Sequence, residues 1–328
     1  MELSLSEAER LATDILEKQG YSREELASPV AHILDCALRG LDYAGFSRIL
    51  SIADRIKKYG RPERPMTILR ESPVSAQIDG ADRLGYIVGQ KMTDLAIEKA
   101  EASGIAIIGA QDTWYTGMLS FYAEQVTARG LVVLIASNAA PWVAPYGGTE
   151  GRFGTNPICA GFPSSEDPII WDIGTSDIIH AQVVMAKRLG KTLPEGVAYD
   201  ADGNPTTDPI RALQGAFTAW GGHRGSGLAI VVQLFGIMAG SMVIPDDLAG
   251  FGMVMIAMRP DLLRDADAFR ADVTAYAEAI RSTRPIAGGG PVRMPFDRSR
   301  KDREAARARG TIFVPDEIFA QILALAEE

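Results

Sequence analysis

Only two cysteines, Cys36 and Cys159, and three histidines occur in 328 residues. Two thiols make no disulfide framework; they suit a reducing compartment and read as a pair of buried side chains. Three scattered histidines give no cluster with metal-ligand spacing. An excess of positive charge is also missing. With a formal net charge of −9 and thinly spread Lys and Arg, the chain lacks the basic footprint of a nucleic-acid surface. No Gly-x-Gly-x-x-Gly follows a strand and no phosphate-loop Gly-Lys-Ser/Thr is present, so a doubly wound nucleotide fold has no support from pattern. "GGHRGSGL" (221–228) has the wrong spacing for either. The opening "MELSLSEAER" carries charge and no apolar core, which is not how a signal peptide reads, and a cytoplasmic protein is expected.

One long charge-free run does exist. "GSGLAIVVQLFGIMAGSMVIP" (225–245) is about as long as a membrane span requires. Gln233, the glycines and the flanking Arg224, Asp246 and Asp247 point instead to a buried central helix. Gly236 and Gly240 would let it pack closely on another backbone or a second subunit.

What is present reads as helices followed by a sheet. Ser6 with Glu9 and Ser22 with Glu25 are spaced as capping boxes, each before an apolar helical pattern. One helix should end at Gly20, a second runs into "RGLDYAGFSR" (39–48), and a third, "SRILSIADRIKKYG", stops at Gly60. "RPERPM" is a linker. From about residue 73, short apolar runs at 105–110, 131–137, 157–163, 168–174 and 252–258 read as buried strands. Helical patterns at about 89–103, 178–190, 225–241 and 265–282 intervene. A glycine loop, a basic helix and a final helix from Pro315 close the chain.

Glycine-dense loops at strand ends are the features that suit a site. "YGGTEGRFGTNP" (146–157) places four glycines with Thr149, Arg152, Thr155 and Asn156 between two apolar runs, so backbone N–H groups can approach a carboxylate or phosphate. Arg224 and the first N–H groups of the central helix would face an anion in the same way. Both also read as an ornate turn and a solvated cap. "DADGNPTTDP" (200–209) lacks the spaced acids of a calcium loop and is a turn. His32 and His180 sit in helical patterns and read as packed; His223, in a loop beside Arg224, stays open.

Five pieces in order, "LRGLDYAG", "GGTEGRFGTNP", "WDIGTS", "DADGNPTTDP" and "GGHRGSGL", make the chain resemble the malate/L-lactate dehydrogenase family that is unrelated to Rossmann-type lactate and malate dehydrogenases. That family includes sulfolactate and ureidoglycolate dehydrogenases and reductases of piperideine- and pyrroline-2-carboxylate. The resemblance implies an α/β, sulfolactate-dehydrogenase-like fold with a largely antiparallel mixed sheet, not a Rossmann fold, plus helical N- and C-terminal layers. It implies a helical substrate and dimer domain at 1–72, completed by 283–328, and a cofactor-binding α/β domain at 73–282. It also implies NADH or NADPH as cofactor and a homodimer whose two subunits enclose it. By position, Ser137, Asn138, Asp172, Ile173, Gly174 and Arg224 would touch the cofactor, with Phe296 and Asp297 in a nearby loop. Arg48 would grip the substrate carboxylate, since guanidinium binds carboxylate in a bidentate fork, and Thr155 and Asn156 would line the same pocket.

The departures carry the functional expectation. Where the resembling family writes Arg-Gly-x-Asp-Ser-His-Gly, with the histidine as proton donor, this chain has Ala44; where it writes Asn-His-Phe-Gly, Tyr115 stands for the histidine. Hydride addition to a ketone builds an alkoxide that needs a proton, and a positioned acid typically contributes on the order of 10²- to 10⁴-fold. A protonated cyclic imine arrives already charged, so losing the histidine costs less for C=N than for C=O. The leading expectation is an NAD(P)H-dependent reductase of a carboxylate-bearing cyclic imine or a related unsaturated substrate, bulkier than lactate or malate, with Arg48 as anchor and Tyr115 as a weak acid. Two alternatives stay open: a 2-hydroxy-acid dehydrogenase using Tyr115, His223 or water, and a cofactor-binding protein without turnover. The basic run Arg298, Arg300 and Lys301 is a solvated helix face or, beside the Phe296 loop, a reason to favour NADPH.

Overall fold

The computed structural model of the chain describes residues 1–62 and 64–327. Strand β1 (Glu2–Ser4) runs straight into helix α1 (Leu5–Lys18), where the Ser4 hydroxyl accepts the Glu7 N–H and the Glu7 carboxylate accepts the Ser4 N–H. The first capping box is therefore Ser4 with Glu7, not Ser6 with Glu9, because β1 pairs with the C-terminal strand and leaves Ser4 as the last extended residue. Ser22 and Glu25 form the expected box at the start of α2 (Arg23–Leu38), and α3 (Ser47–Tyr59) stops at Gly60, whose φ of 76° suits a residue without Cβ.

The chain then enters its sheet through a hairpin, β2 (Thr67–Ser72) and β3 (Ser75–Leu84), which the apolar pattern does not announce because β2 is almost wholly exposed. This hairpin crosses residue 72, so the sheet takes in residues that the sequence assigns to the helical arm. Next come α4 (Gly85–Ser103), β4 (Ile105–Trp114), α5 (Leu119–Thr127), β5 (Val132–Ser137), β6 (Ile158–Phe162), β7 (Ile169–Ile173) and α6 (His180–Arg188). A small lobe holds β8 (Ala198–Tyr199), α7 (Pro209–Ala212) and β9 (Ala216–Phe217), and α8 (His223–Met238), β10 (Phe251–Met258) and α9 (Ala266–Arg281) follow. The tail is α10 (Asp297–Arg309), β11 (Thr311–Phe313) and α11 (Asp316–Glu327).

The main sheet has the order β2-β3-β4-β10-β5-β6-β7, and every pairing in it is antiparallel except β3 with β4. It is a mixed, largely antiparallel sheet, as expected. Its central strands are covered on one face by α4 and α5, with Ile108, Met253 and Ile135 in that core, and approached on the other by α8. Gly236 of α8 lies where any Cβ would collide with the Asn138 side chain, so glycine is required for the crossing. Gly240 serves otherwise, ending the helix with φ 99°.

The charge-free run is not buried all round. Leu234 and Met238 of α8 are 58% and 62% exposed, and Val243 beyond it 69%. Composition cannot separate a core helix from one with a bare apolar face. Among the described residues no helix is long and apolar enough to cross a membrane. The helical layer has its own core, in which Ile15, Ile33 and Ile49 meet Ala306, Ile312 and Ile318 of the tail.

Candidate active site

A cavity of about 650 Å³ opens between the helical layer and the β7 side of the sheet, a size ordinary for a small-molecule or cofactor site. Ala44 and Arg48 reach it from the turn before α3 and from α3 itself. Tyr115 enters after β4, Trp142 and Thr155 from loops after β5, and Asp172, Ile173 and Gly174 from the end of β7. His180 comes from the first turn of α6, and Arg293 to Phe296 form the wall before α10. Backbone turns place several of these groups. Tyr115 has φ 48°, and Gly117, φ 78°, sits where a Cβ would overlap the rings of Tyr86 and His32. Phe296, with φ 76°, is the other bulky residue at the cavity in a left-handed conformation, which costs on the order of 1–3 kcal/mol unless its surroundings hold it. The loop at 146–157 turns so tightly that a side chain at Gly151 would strike the Pro141 carbonyl.

Arg48 is the dominant charge. It makes no ion pair among the described residues; its guanidinium lies over the Tyr115 ring, 4.3 Å from the centroid, and its buried Nε has no hydrogen-bond partner. A half-buried guanidinium without a counter-ion is an anion site by default, since charge removed from water is otherwise paired. Burial raises the Tyr115 phenol, and Arg48 only partly opposes this. Burial likewise raises the Asp172 carboxyl, although it accepts the Ser120 N–H at 2.7 Å.

The cavity also contains an imidazole, and this corrects the expectation for His180. Its ring stacks on Trp142 with centroids 3.8 Å apart and planes 13° apart, and Nδ1 is buried without a partner. Burial first, and then the Arg48 charge, push it down to about 3, with Asp247 pulling the other way. His32 is packed as expected. It stacks on Tyr86 at 4.1 Å and accepts the Met118 N–H through Nε2 at 2.9 Å, and burial also holds it at about 3.

These depressed histidines make stability pH-dependent. Below about 6.5 the unfolded chain binds a proton at each imidazole that the folded chain refuses until about pH 3. Stability is therefore complete above pH 6.5 and is lost as the pH falls through that window, by about 1 kcal/mol per pH unit for the fully buried His32 and less for His180, which is open to the cavity. Urea midpoints measured from pH 7 to pH 4.5 should fall accordingly, and His32→Gln should flatten the slope; an unchanged slope in that variant would assign the effect elsewhere.

Of the residues singled out in the sequence, Ala44, Arg48, Tyr115, Thr155, Asn138, Asp172, Ile173, Gly174 and Phe296 meet at this cavity. Asn138 does so while its side chain is committed to the Ser241 hydroxyl and the Gly252 N–H. Five others do not line it. Ser137 is buried behind Thr116, whose hydroxyl donates to it. Asn156 turns inward at φ 33° and bridges the Ala139 N–H, the Ala229 carbonyl and Gln233. Asp297 is held by Arg281 and the Met294 N–H. His223 and Arg224 lie at the start of α8, where both are exposed. Sequence reasoning passed over Trp142, Trp171, His180, Arg293 and the cavity position of Arg298. A lone histidine at the first position of a helix was the one signal available for His180.

The walls fit a nicotinamide dinucleotide. The end of β7 supplies an accessible strip of backbone at 172–174 and a half-exposed indole, Trp171, suited to a flat ring. Arg293 and Arg298, neither in an ion pair among the described residues, stand at the same wall and suit phosphate.

The family model for malate/L-lactate dehydrogenase matches residues 3–323. The chain is 31% identical to the L-sulfolactate dehydrogenase of Methanothermobacter thermautotrophicus, over 100% of this chain and 97% of that one. It is also 31% identical to Delta(1)-pyrroline-2-carboxylate reductase 1 of Burkholderia ambifaria, over 99% and 97%. Among solved structures, a dehydrogenase from Sinorhizobium meliloti superposes with a TM-score of 0.90 at 28% identity, covering 99% of this chain and 98% of the other.

Proposed function

The chain belongs to the malate/L-lactate dehydrogenase family and is an oxidoreductase, and within that class we propose that it is an NAD(P)H-dependent reductase of a carboxylate-bearing cyclic imine. The observation that carries this reading is Arg48, a guanidinium unpaired among the described residues and facing a cavity in which the phenol of Tyr115 is raised and the imidazole of His180 lowered. Nicotinamide, when bound, supplies a hydride to the substrate carbon. Everything else falls to the chain. Arg48 binds the carboxylate and fixes which carbon is presented, while Tyr115 holds the guanidinium by cation–π contact. Trp142 and Phe296 exclude water. The absence of a larger side chain at Ala44 leaves room for a ring.

Before a substrate acid binds, the Tyr115 phenol is raised and the His180 imidazole lowered, so neither is a ready proton donor at neutral pH. A ketone needs that proton; an iminium brings it. Two imino-acid reductases among the relatives, from Burkholderia ambifaria and Pseudomonas putida, agree with this preference. Arg293 and Arg298 favour NADPH over NADH.

The chain would also act as a homodimer closing over the bare face of α8, which would bring His223 and Arg224 to the subunit boundary; sedimentation returning the mass of one chain would remove that assignment. The direct test follows NADPH and NADH oxidation with Δ1-pyrroline-2-carboxylate, Δ1-piperideine-2-carboxylate, pyruvate and oxaloacetate. The imino acids should lead in kcat/KM by on the order of 10²-fold, the lower end of what a positioned acid contributes. The opposite ranking would make the chain a 2-oxo-acid dehydrogenase.

A further inference from the structure

The geometry points to His180 as the catalytic residue that holds and exchanges the proton on the substrate's heteroatom, an inference that rests on the reductase reading above. The other groups in the cavity are poorly suited to that role. Arginine does not give up a proton in proteins, which removes Arg48, Arg293 and Arg298. Asp172 is fastened to the Ser120 N–H. Tyr43, Tyr86 and Tyr115 are phenols raised by burial, and Tyr115 lies beneath the Arg48 guanidinium. Ala44 has nothing to titrate. His180 is what remains: its ring is fixed by Trp142, it shares the cavity with Arg48, and its Nδ1 has no partner among the described residues.

A buried ring nitrogen left unpaired costs about 1–3 kcal/mol, and a packing role alone would be served as well by an apolar ring. The stack on Trp142 fixes the plane of the imidazole, and the ring lines the same cavity as Arg48. The charged groups around it are Arg48 from α3 and Asp247 from the loop after α8; they act in opposite senses. A substrate carboxylate seated on Arg48 cancels the charge that, after burial, does most to keep the imidazole neutral. Binding the acid thus favours a proton at His180, where the substrate nitrogen can share it. One proton, drawn from solvent through the imidazole, makes the iminium. The hydride then forms a bond to carbon, the C=N π pair passes to nitrogen, and a secondary amine results while the imidazole returns to its neutral form.

The test compares His180→Gln, His180→Ala and Tyr115→Phe. Each is titrated with NADPH and with pyrrole-2-carboxylate, a planar analogue that is not turned over, and assayed with Δ1-pyrroline-2-carboxylate from pH 5 to 9. His180→Gln should lose on the order of 10²-fold or more in kcat, keep both Kd values within about threefold and flatten the alkaline limb of the wild-type profile, the fall in rate as a required imidazolium loses its proton. Free imidazole should restore part of the His180→Ala activity, which a packing role cannot explain. If His180→Gln turns over at near wild-type rate, or if only Tyr115→Phe loses kcat, the assignment is overturned and the reductase reading stands. If the wild type neither binds NADPH nor reduces any imino or oxo acid, both fall together.

Discussion

Arg48→Leu should raise KM for any small acid by orders of magnitude while leaving dinucleotide binding intact. Arg48 is the guanidinium at this cavity placed against the Tyr115 ring and, among the described residues, without an acidic partner, and its Nε is sealed from water. A carboxylate that docks there completes a half-buried ion pair. Removing one partner of such a pair costs about 2–5 kcal/mol, or roughly 30- to 5,000-fold in kcat/KM. The loss should appear mainly in KM, because the contact is made equally before and during reaction. Arg48→Lys should recover little, since an ammonium neither forms the bidentate fork nor stacks flat on Tyr115. Fluorescence titration with NADPH gives the control. Were Arg48→Leu to keep its KM for the imino acid, the anion site would have to be sought at Arg293 or Arg298.

Arg39→Met should be the most damaging single change to stability. Its side chain is fully buried, with Nε on Asp35 at 2.7 Å and a second nitrogen on Glu124 at 2.5 Å, a third contact to the Ser299 hydroxyl at 3.2 Å, and its guanidinium 4.4 Å from the centre of the Phe296 ring. Arg303 closes the network by bridging Asp35 at 3.0 Å and Glu124 at 2.6 Å. Taking out the central cation leaves two carboxylates to one arginine, and breaking a buried network in this way costs about 3–5 kcal/mol. That is a large part of the roughly 5–15 kcal/mol by which domains are ordinarily stable. The urea midpoint should fall, and NADPH affinity with it, because Phe296 loses the contact that helps hold its left-handed backbone. Exchanging both Asp35 and Arg39 for apolar residues should cost less than the single change. A midpoint that stays put in Arg39→Met would show the network to be replaceable by water.

Much of this architecture was legible because the chain obeys simple periodicities. The apolar runs became β4, β5, β6, β7 and β10 near their expected positions, β4 alone running several residues further, since short runs rich in Val and Ile mark strands even where one face stays open, as at Ile107, Phe162 and Trp171. The β2–β3 hairpin escaped because its outer strand is made of exposed residues, so no burial signal marks it. Arg48 and Tyr115 could be singled out from short ordered motifs. His180 could not, because what distinguishes it is the Trp142 indole, far earlier in the chain, and no local pattern encodes that stack. Asn156 misled for the reverse reason: it stands in a glycine-rich loop that looks made for a ligand, yet its positive φ swings the amide into the protein. The exposed flank of α8 is a third kind of failure, in which hydrophobicity reports that water is disliked but not which surface replaces it.

The β1–β11 ribbon, which sets Leu3 opposite Ile312, ties the order of synthesis to the order of assembly. On the ribosome the first strand must wait for a mate made some three hundred residues later, and Phe296 emerges scarcely sooner. A nascent chain stopped short of residue 311 would carry a finished sheet beneath an unroofed helical half, with its guanidinium in place and nothing yet to shut out water.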